Sequence, residues 1–264
     1  MIRIRRKPLP VTTSATLDHD QGLVNGELDY PSRVAAAKRL FALRNTPRNR
    51  VFAVVRSTLA EMCHGSRRCM YCEDAPADEV EHFRPKDLFP EHAFSWSNYL
   101  YSCGPCNGPK NNRWGILPAR GASVIDVSRP RGAAVVPPRW GQPALIDPSR
   151  QDPLLHLIMD LKETFLIVPR LARGTPSYAC AEYTIEVLKL NKDFLIESRA
   201  TAFQAYVSHL TRAGGATNGH DRQVVRDAIR NTPHPTVWAE MKRQRNLHPT
   251  LEAYFNASPA ALRW

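Results

Sequence analysis

Four cysteines stand as two C-x-x-C pairs, Cys69 with Cys72 and Cys103 with Cys106. Two thiolates two residues apart can grip one metal ion from a tight turn. Two such pairs supply four sulfurs, the ligand set of a tetrahedral Zn2+ site with no open position. A closed site of this kind is structural: it fastens a small module that lacks a core of its own. Residues 73–102 lie between the pairs, longer than a simple ribbon, so a functional insert is expected there. Cys63 and Cys180 remain, and each is read as a small buried apolar residue.

Three further runs surround these cysteines. The first is Glu79-Val80-Glu81-His82-Phe83-Arg84-Pro85-Lys86, with Val80 and Phe83 as the apolar positions of a short strand-like stretch that Pro85 ends. The second is Trp96-Ser97-Asn98-Tyr99-Leu100, running into Cys103, and the third is Asn107-Gly108-Pro109-Lys110, directly after Cys106. A histidine beside a carboxylate, bracketed by metal knuckles, suggests a site, although a lone histidine is more often a surface or core residue. Trp96 and Trp114 are read as packing around the small module, and His64 and His92 as surface residues.

The elements that must position these residues are mostly helical. Residues 1–30 mix Pro, Thr, Ser, Gly and Asp with little periodicity and read as an irregular N-terminal arm. Residues 32–44, with Ser32 as cap, and 48–63 read as a helical hairpin, since Val51, Phe52, Val55, Leu59 and Met62 recur at helical spacing. Residues 115–145 carry five prolines and few periodic apolar positions, the pattern of a long loop or linker. A short strand is expected within Leu161–Val168, and helices at about 179–190, 193–213, 219–231 and 236–246. Tyr183, Val187, Leu188 and Leu190, and Phe194, Leu195, Ala202, Phe203, Tyr206 and Leu210, are the expected core of the first two. The fold class is therefore α+β, predominantly α-helical. Residues 31–144 form one domain around a core at 64–113, and residues 145–264 form a C-terminal helical domain.

The chain has 264 residues, enough to bury a core without disulfides. Lys plus Arg number 36 against 25 Asp plus Glu, a formal net charge of +11. Such a balance favours polyanions, because phosphate contacts release condensed counterions. No stretch approaches the length of apolar chain that spans a bilayer, and the basic start lacks the apolar core of a signal peptide. A cytoplasmic protein without a membrane partner is expected.

In order and spacing, C-x-x-C, Glu-His, Asn-Tyr-Leu and C-x-x-C-Asn with a nearby Lys resemble the HNH endonucleases of the His-Me finger, or ββα-metal, group. The fuller string Glu-His-Phe-Arg-Pro-Lys, Trp-x-Asn and Cys-x-x-Cys-Asn-x-x-Lys is similar to the HNH subunits of Septu-type and retron-associated anti-phage systems. Leu145-Ile146-Asp147-Pro148, Asp152-Pro153-Leu154-Leu155-His156-Leu157 and Tyr183-Thr184-Ile185 through Leu190-Asn191 are similar to that branch too.

The resemblance implies a zinc-stapled ββα-metal module and roles for its residues. His82 stands at the general base, Asn98 is placed to orient its imidazole, and Asn107 stands at the last letter of the motif, where many members have His. Glu81, beside the base, and Asn107 would bind a catalytic Mg2+ or Mn2+, oxygen ligands being suited to these ions. Arg84, Lys86, Lys110 and Arg113 would hold the sugar-phosphate backbone. The implied function is metal-dependent hydrolysis of phosphodiester bonds in phage or plasmid DNA, with an ATPase partner subunit. A non-catalytic zinc-stabilised nucleic-acid-binding module, and an adaptor whose C-terminal helices matter most, are the competing readings.

Overall fold

Pro10 and Pro31 fix φ near helical values at the start of the first two helices. In the computed structural model, which describes residues 1–264, α1 (Val11–Asn25) and α2 (Tyr30–Arg44) pack against each other. The helix α3 (Arg50–Met62) buries Phe52, Val55, Leu59 and Met62, the apolar stripe its sequence spells. Asn49 caps α3 by accepting from the Phe52 amide. The cap of α2 is Asp29, which accepts from the Ser32 amide, so Ser32 lies inside the helix it was expected to cap.

Residues 11–25 correct the expectation of an irregular arm. Their sequence offers only Leu17 and Val24 as large buried apolar side chains. The helix is held instead by polar contacts from afar. Asp20, almost fully buried, accepts from Arg44 Nε and Nη2, each at 2.9 Å. Such a two-pronged ion pair has a geometry that a flexible arm could not keep.

After α3, the strands β1 (Glu79–His82) and β2 (Tyr99–Ser102) pair antiparallel, with Glu79 opposite Ser102 and His82 opposite Tyr99. The short helix α4 (Gly104–Lys110) follows at once. The proline-rich stretch contains a small three-stranded sheet, β3 (Gly115–Leu117), β4 (Ile125–Asp126) and β5 (Gln142–Pro143), in the order β4-β3-β5. These strands of two or three residues are too short to leave a period in the sequence. The remainder is irregular, as expected. A second hairpin, β6 (Leu157–Met159) with β7 (Ile167–Pro169), leads into the helices. The expected strand thus begins at Ile167, just after Phe165, whose φ of 53° is left-handed.

The helices are α5 (Pro176–Leu188), α6 (Asp193–Gly214), α7 (Gly219–Asn231), α8 (Pro235–Gln244) and α9 (Pro249–Ala257), the last unforeseen. Leu195, Ala202, Tyr206 and Leu210 of α6 face inward, whereas Phe194 is 47% exposed at its first turn, a correction to its expected place in the core. Three small sheets among nine α-helices make the chain α+β and mainly helical.

The expected boundary near residue 144 does not separate two cores. One cluster of buried apolar side chains runs from Met1 to Ala261. Polar contacts cross the same line. Asp74, just after the first cysteine pair, meets His234 at 3.2 Å and the Ser198 hydroxyl at 2.5 Å. Glu73 accepts from the amide and hydroxyl of Thr236. The first cysteine turn is therefore anchored on α6 and α8. No helix is long and apolar enough to cross a membrane.

Candidate active site and metal centre

The turn at 69–72 and the start of α4 bring the cysteine pairs together. The sulfurs of Cys69, Cys72, Cys103 and Cys106 all lie within 4.8 Å of one another, and all four residues are buried. The amides of Tyr71 and Cys103 each point at the Cys69 sulfur at 3.4 Å. Backbone N–H groups aimed at a sulfur stabilise its thiolate form, the form that binds metal. Four buried thiols held this close could bind one metal ion such as zinc. Cys63 and Cys180 stay apart and half-buried, and burial pushes their thiols up, to about 12 and about 11. At neutral pH both stay in the protonated, weakly nucleophilic form.

The strand β1 runs alongside α4, and their periods match. In a strand, residues two apart share a face; in a helix, residues three apart do. Glu79 and Glu81 accordingly meet Asn107 and Lys110, rung for rung. Asn107 Nδ2 donates to Glu79 Oε2 at 2.6 Å. Lys110 Nζ forms an ion pair with Glu81 Oε1 and also donates to the His82 carbonyl at 2.8 Å. The second Glu81 oxygen accepts from the Tyr71 hydroxyl at 2.8 Å. Burial, then the adjacent Glu81 charge, hold that hydroxyl well above its ordinary pKa, so it remains a donor.

His82 ends the strand, and its ring takes no part in the contacts that Glu79 and Glu81 make with α4. Its ring sits edge-on to Phe41 at 4.3 Å and to Tyr99 at 5.2 Å. Nε2 lies 2.8 Å from the Ala93 carbonyl oxygen. A carbonyl can only accept, so Nε2 carries the hydrogen and Nδ1 is the bare nitrogen. Nδ1 has no protein partner and is not among the enclosed unpartnered side-chain atoms. Burial, then the charges of Lys86 and Lys110, press the pKa of the ring well below 6.5 against the lift from Ala93. The imidazole is therefore neutral at physiological pH.

His82 and the Glu79–Asn107 pair line one open polar cleft of about 270 Å³, together with Pro85, Lys86, Gly104 and Asn112. The Lys86 ammonium lies 5.0 Å over the Phe41 ring, and burial lowers its pKa.

Asn98 does not touch the imidazole, which corrects its expected role. Its Oδ1 accepts from the Arg84 amide at 2.8 Å, and its Nδ2 donates to the carbonyls of Arg84 and His92, each at 3.0 Å. It clamps the loop between β1 and β2, and the next carbonyl along, Ala93, holds the ring. Gln21 of α1 grips the same loop, donating to the Pro90 carbonyl and accepting from the Phe94 amide. Tyr99 donates to Ala93 as well, at 2.8 Å.

The other expected residues separate. Glu81 has both oxygens engaged and is 2% exposed, so it is not free as a ligand; the open carboxylate at the cleft is Glu79. Lys110 is fully buried and cannot reach solvent or a phosphate. Arg84 lies over Phe89 and Trp114, away from the cleft, and lines a separate pocket with Asp147 and Arg150. Arg113 pairs with Glu186 at 2.6 Å. Only Lys86 of the four basic residues faces the cleft. Trp114 is buried between Phe83 and Phe89. Gln21, Glu79 and the Ala93 carbonyl were not expected; only Glu79 left a signal, its spacing of two from Glu81.

Two bacterial proteins share sequence with the chain. Over 61 residues it is 41% identical to the Septu protein PtuB of Bacillus thuringiensis, which covers 21% of this chain and 23% of that protein. Over 163 residues it is 29% identical to the Septu protein PtuB of Bacillus mycoides strain KBAB4, covering 55% and 50%. The chain is similar to Septu PtuB proteins. It spans half or less of the length of these curated relatives. No family model matches it, and neither does any solved structure.

Proposed function

We propose that the chain is an HNH-type endonuclease that hydrolyses phosphodiester bonds in DNA. One observation carries the reading: His82, whose neutral imidazole is fixed by Nε2 and bare at Nδ1, lines the same polar cleft as the Glu79 carboxylate and the Asn107 amide. The hairpin β1–β2 followed by α4, with four cysteines at its base, agrees with a ββα-metal module whose structural ion is Zn2+.

In this reading His82 Nδ1 takes the proton from the attacking water. The Nε2–H bond to Ala93 stays in place, so the ring does not swing as charge arrives. A depressed pKa lets the imidazolium return its proton quickly to solvent. The cleft suits a hard divalent cation, because Glu79 Oε1 and Asn107 Oδ1 are oxygen donors without protein partners. Glu79 and Asn107 would hold Mg2+ or Mn2+; Glu81 would instead brace the strand through Lys110 and Tyr71. When bound, such an ion supplies positive charge at the scissile phosphate and the leaving oxygen. Lys86 adds a cation on the same side.

Similarity to the Septu proteins supports a place in a Septu-type anti-phage defence system. There an ATPase partner would restrain the nuclease until infection is sensed. The test is supercoiled plasmid incubated with the purified chain, with and without Mg2+ or Mn2+. Nicking that needs the ion and stops with EDTA is expected. Retention of the plasmid without cleavage under any divalent ion would favour the non-catalytic binding module. Co-elution with the product of the neighbouring gene tests the partner; separate elution would count against a stable complex.

A further inference from the structure

Beside the cleft lies a larger groove of about 940 Å³, walled by α2 on one side and by residues 128–135 on the other. Gly108, Asn111 and Asn112 line both spaces, so the groove adjoins the cleft. Five cationic side chains line it: Lys38, Arg39, Arg113, Arg129 and Arg131. Asp87 is its one carboxylate.

The wiring of these charges divides them into braces and free ends. Asp87 pairs with Lys38 at 3.2 Å and Arg129 at 3.4 Å and accepts from Asn112 at 3.1 Å. Arg129 also donates to the Tyr30 hydroxyl and the Val136 carbonyl, each at 3.2 Å, which fastens the loop to the first turn of α2. Arg113 is held by Glu186. Arg39 and Arg131, one on each wall, are exposed and have no carboxylate partner. Two like charges kept facing one groove without neutralisation favour an anion between them.

We propose that this groove holds the sugar-phosphate backbone of a nucleic acid and leads it into the cleft, with Arg39 and Arg131 contacting phosphates. The inference rests on the nuclease reading for the direction of the strand, not for the binding itself. Adjacency to the cleft, together with the five cations against one carboxylate, favours nucleic acid over an acidic protein. It also moves the interface. Of the four basic residues singled out in the sequence, only Arg113 borders this groove, and its walls come from α2 and the proline-rich loop.

The experiment is fluorescence anisotropy with a labelled DNA duplex, titrated against the full chain carrying His82→Ala to keep the probe intact. The comparison is with the same chain carrying Arg39→Ala and Arg131→Ala as well. Each phosphate contact contributes a slope of about 0.9 to the fall of log affinity with log salt. The slope should therefore drop by about 1.8, and the affinity at moderate salt should weaken by about ten-fold or more. A control with the same loss of charge, Arg212→Ala with Arg222→Ala on the helical half, should change both far less. Unchanged affinity and slope, or an equal loss in the control, would overturn the proposal. The two readings fail differently. A wild-type chain that binds through the groove but never cuts removes the nuclease; Arg39→Ala with Arg131→Ala in a chain that keeps His82, binding and cutting like wild type, removes the groove.

Discussion

Lys110→Met separates two readings of one residue, a phosphate contact in solvent or a buried brace. In the structure its side chain is fully buried, with Nζ on Glu81 and on the His82 carbonyl. The substitution keeps the length and removes the charge. Glu81, 2% exposed, would then face only the Tyr71 hydroxyl. Breaking a buried ion pair from one side costs about 3–5 kcal/mol, because the remaining charge stays desolvated. The stability of a whole domain is about 5–15 kcal/mol. For a chain of this size each kcal/mol moves Tm by about 2–4 °C, so a fall of roughly 10 °C is expected. Adding Glu81→Gln removes the stranded charge while its amide oxygen still accepts from Tyr71. The double variant should recover about 2 kcal/mol of the loss, the size of coupling found between residues in contact. The assay is thermal unfolding of the zinc-loaded chain, followed by circular dichroism. A Lys110→Met chain that melts with wild type, and binds DNA with a smaller salt slope, would refute the brace.

Asn98→Ala removes three hydrogen bonds from the loop that holds Ala93, a loss of about 2–4 kcal/mol. Turnover should fall with little change in KM, and steady-state kinetics showing an unaltered kcat would mean that the loop is held without it. The pKa of His82 is depressed in the fold, so the unfolded chain binds a proton first as pH falls below 6.5. Its contribution to stability is present above pH 6.5 and is lost as pH drops through the lower folded value. The acid limb of the cleavage profile should likewise lie below pH 6.5, and a limb above that value would contradict a buried, neutral base. Native mass spectrometry should find one zinc per chain, and either chelation or Cys103→Ser should lower Tm; an unchanged Tm after chelation would show that the sulfurs do not hold the module.

The sequence made visible whatever repeats locally. Phe52, Val55, Leu59 and Met62 spell α3, and the C-x-x-C pairs announce their own convergence. The helix α1 was not legible, because what orders it lies far along the chain: Arg44 on Asp20, and Pro90 and Phe94 on Gln21. The anchor of His82 is a backbone carbonyl, which carries no residue type at all. Choosing between Glu79 and Glu81 required knowing which face of α4 each would meet. Lys110 read as a surface cation because nothing in its neighbours indicates that Glu81 and Tyr71 enclose it.

If the neutral ring at position 82 takes the proton in phosphodiester cleavage, its loss must stop the reaction without unfolding the module. Plasmid nicking by His82→Ala, with zinc content and far-UV circular dichroism measured on the same sample, decides this. No ion-dependent nicking, an intact zinc complement and partial rescue by added imidazole are expected. Nicking at the wild-type rate by a folded, zinc-replete His82→Ala chain would rule out His82 as the base.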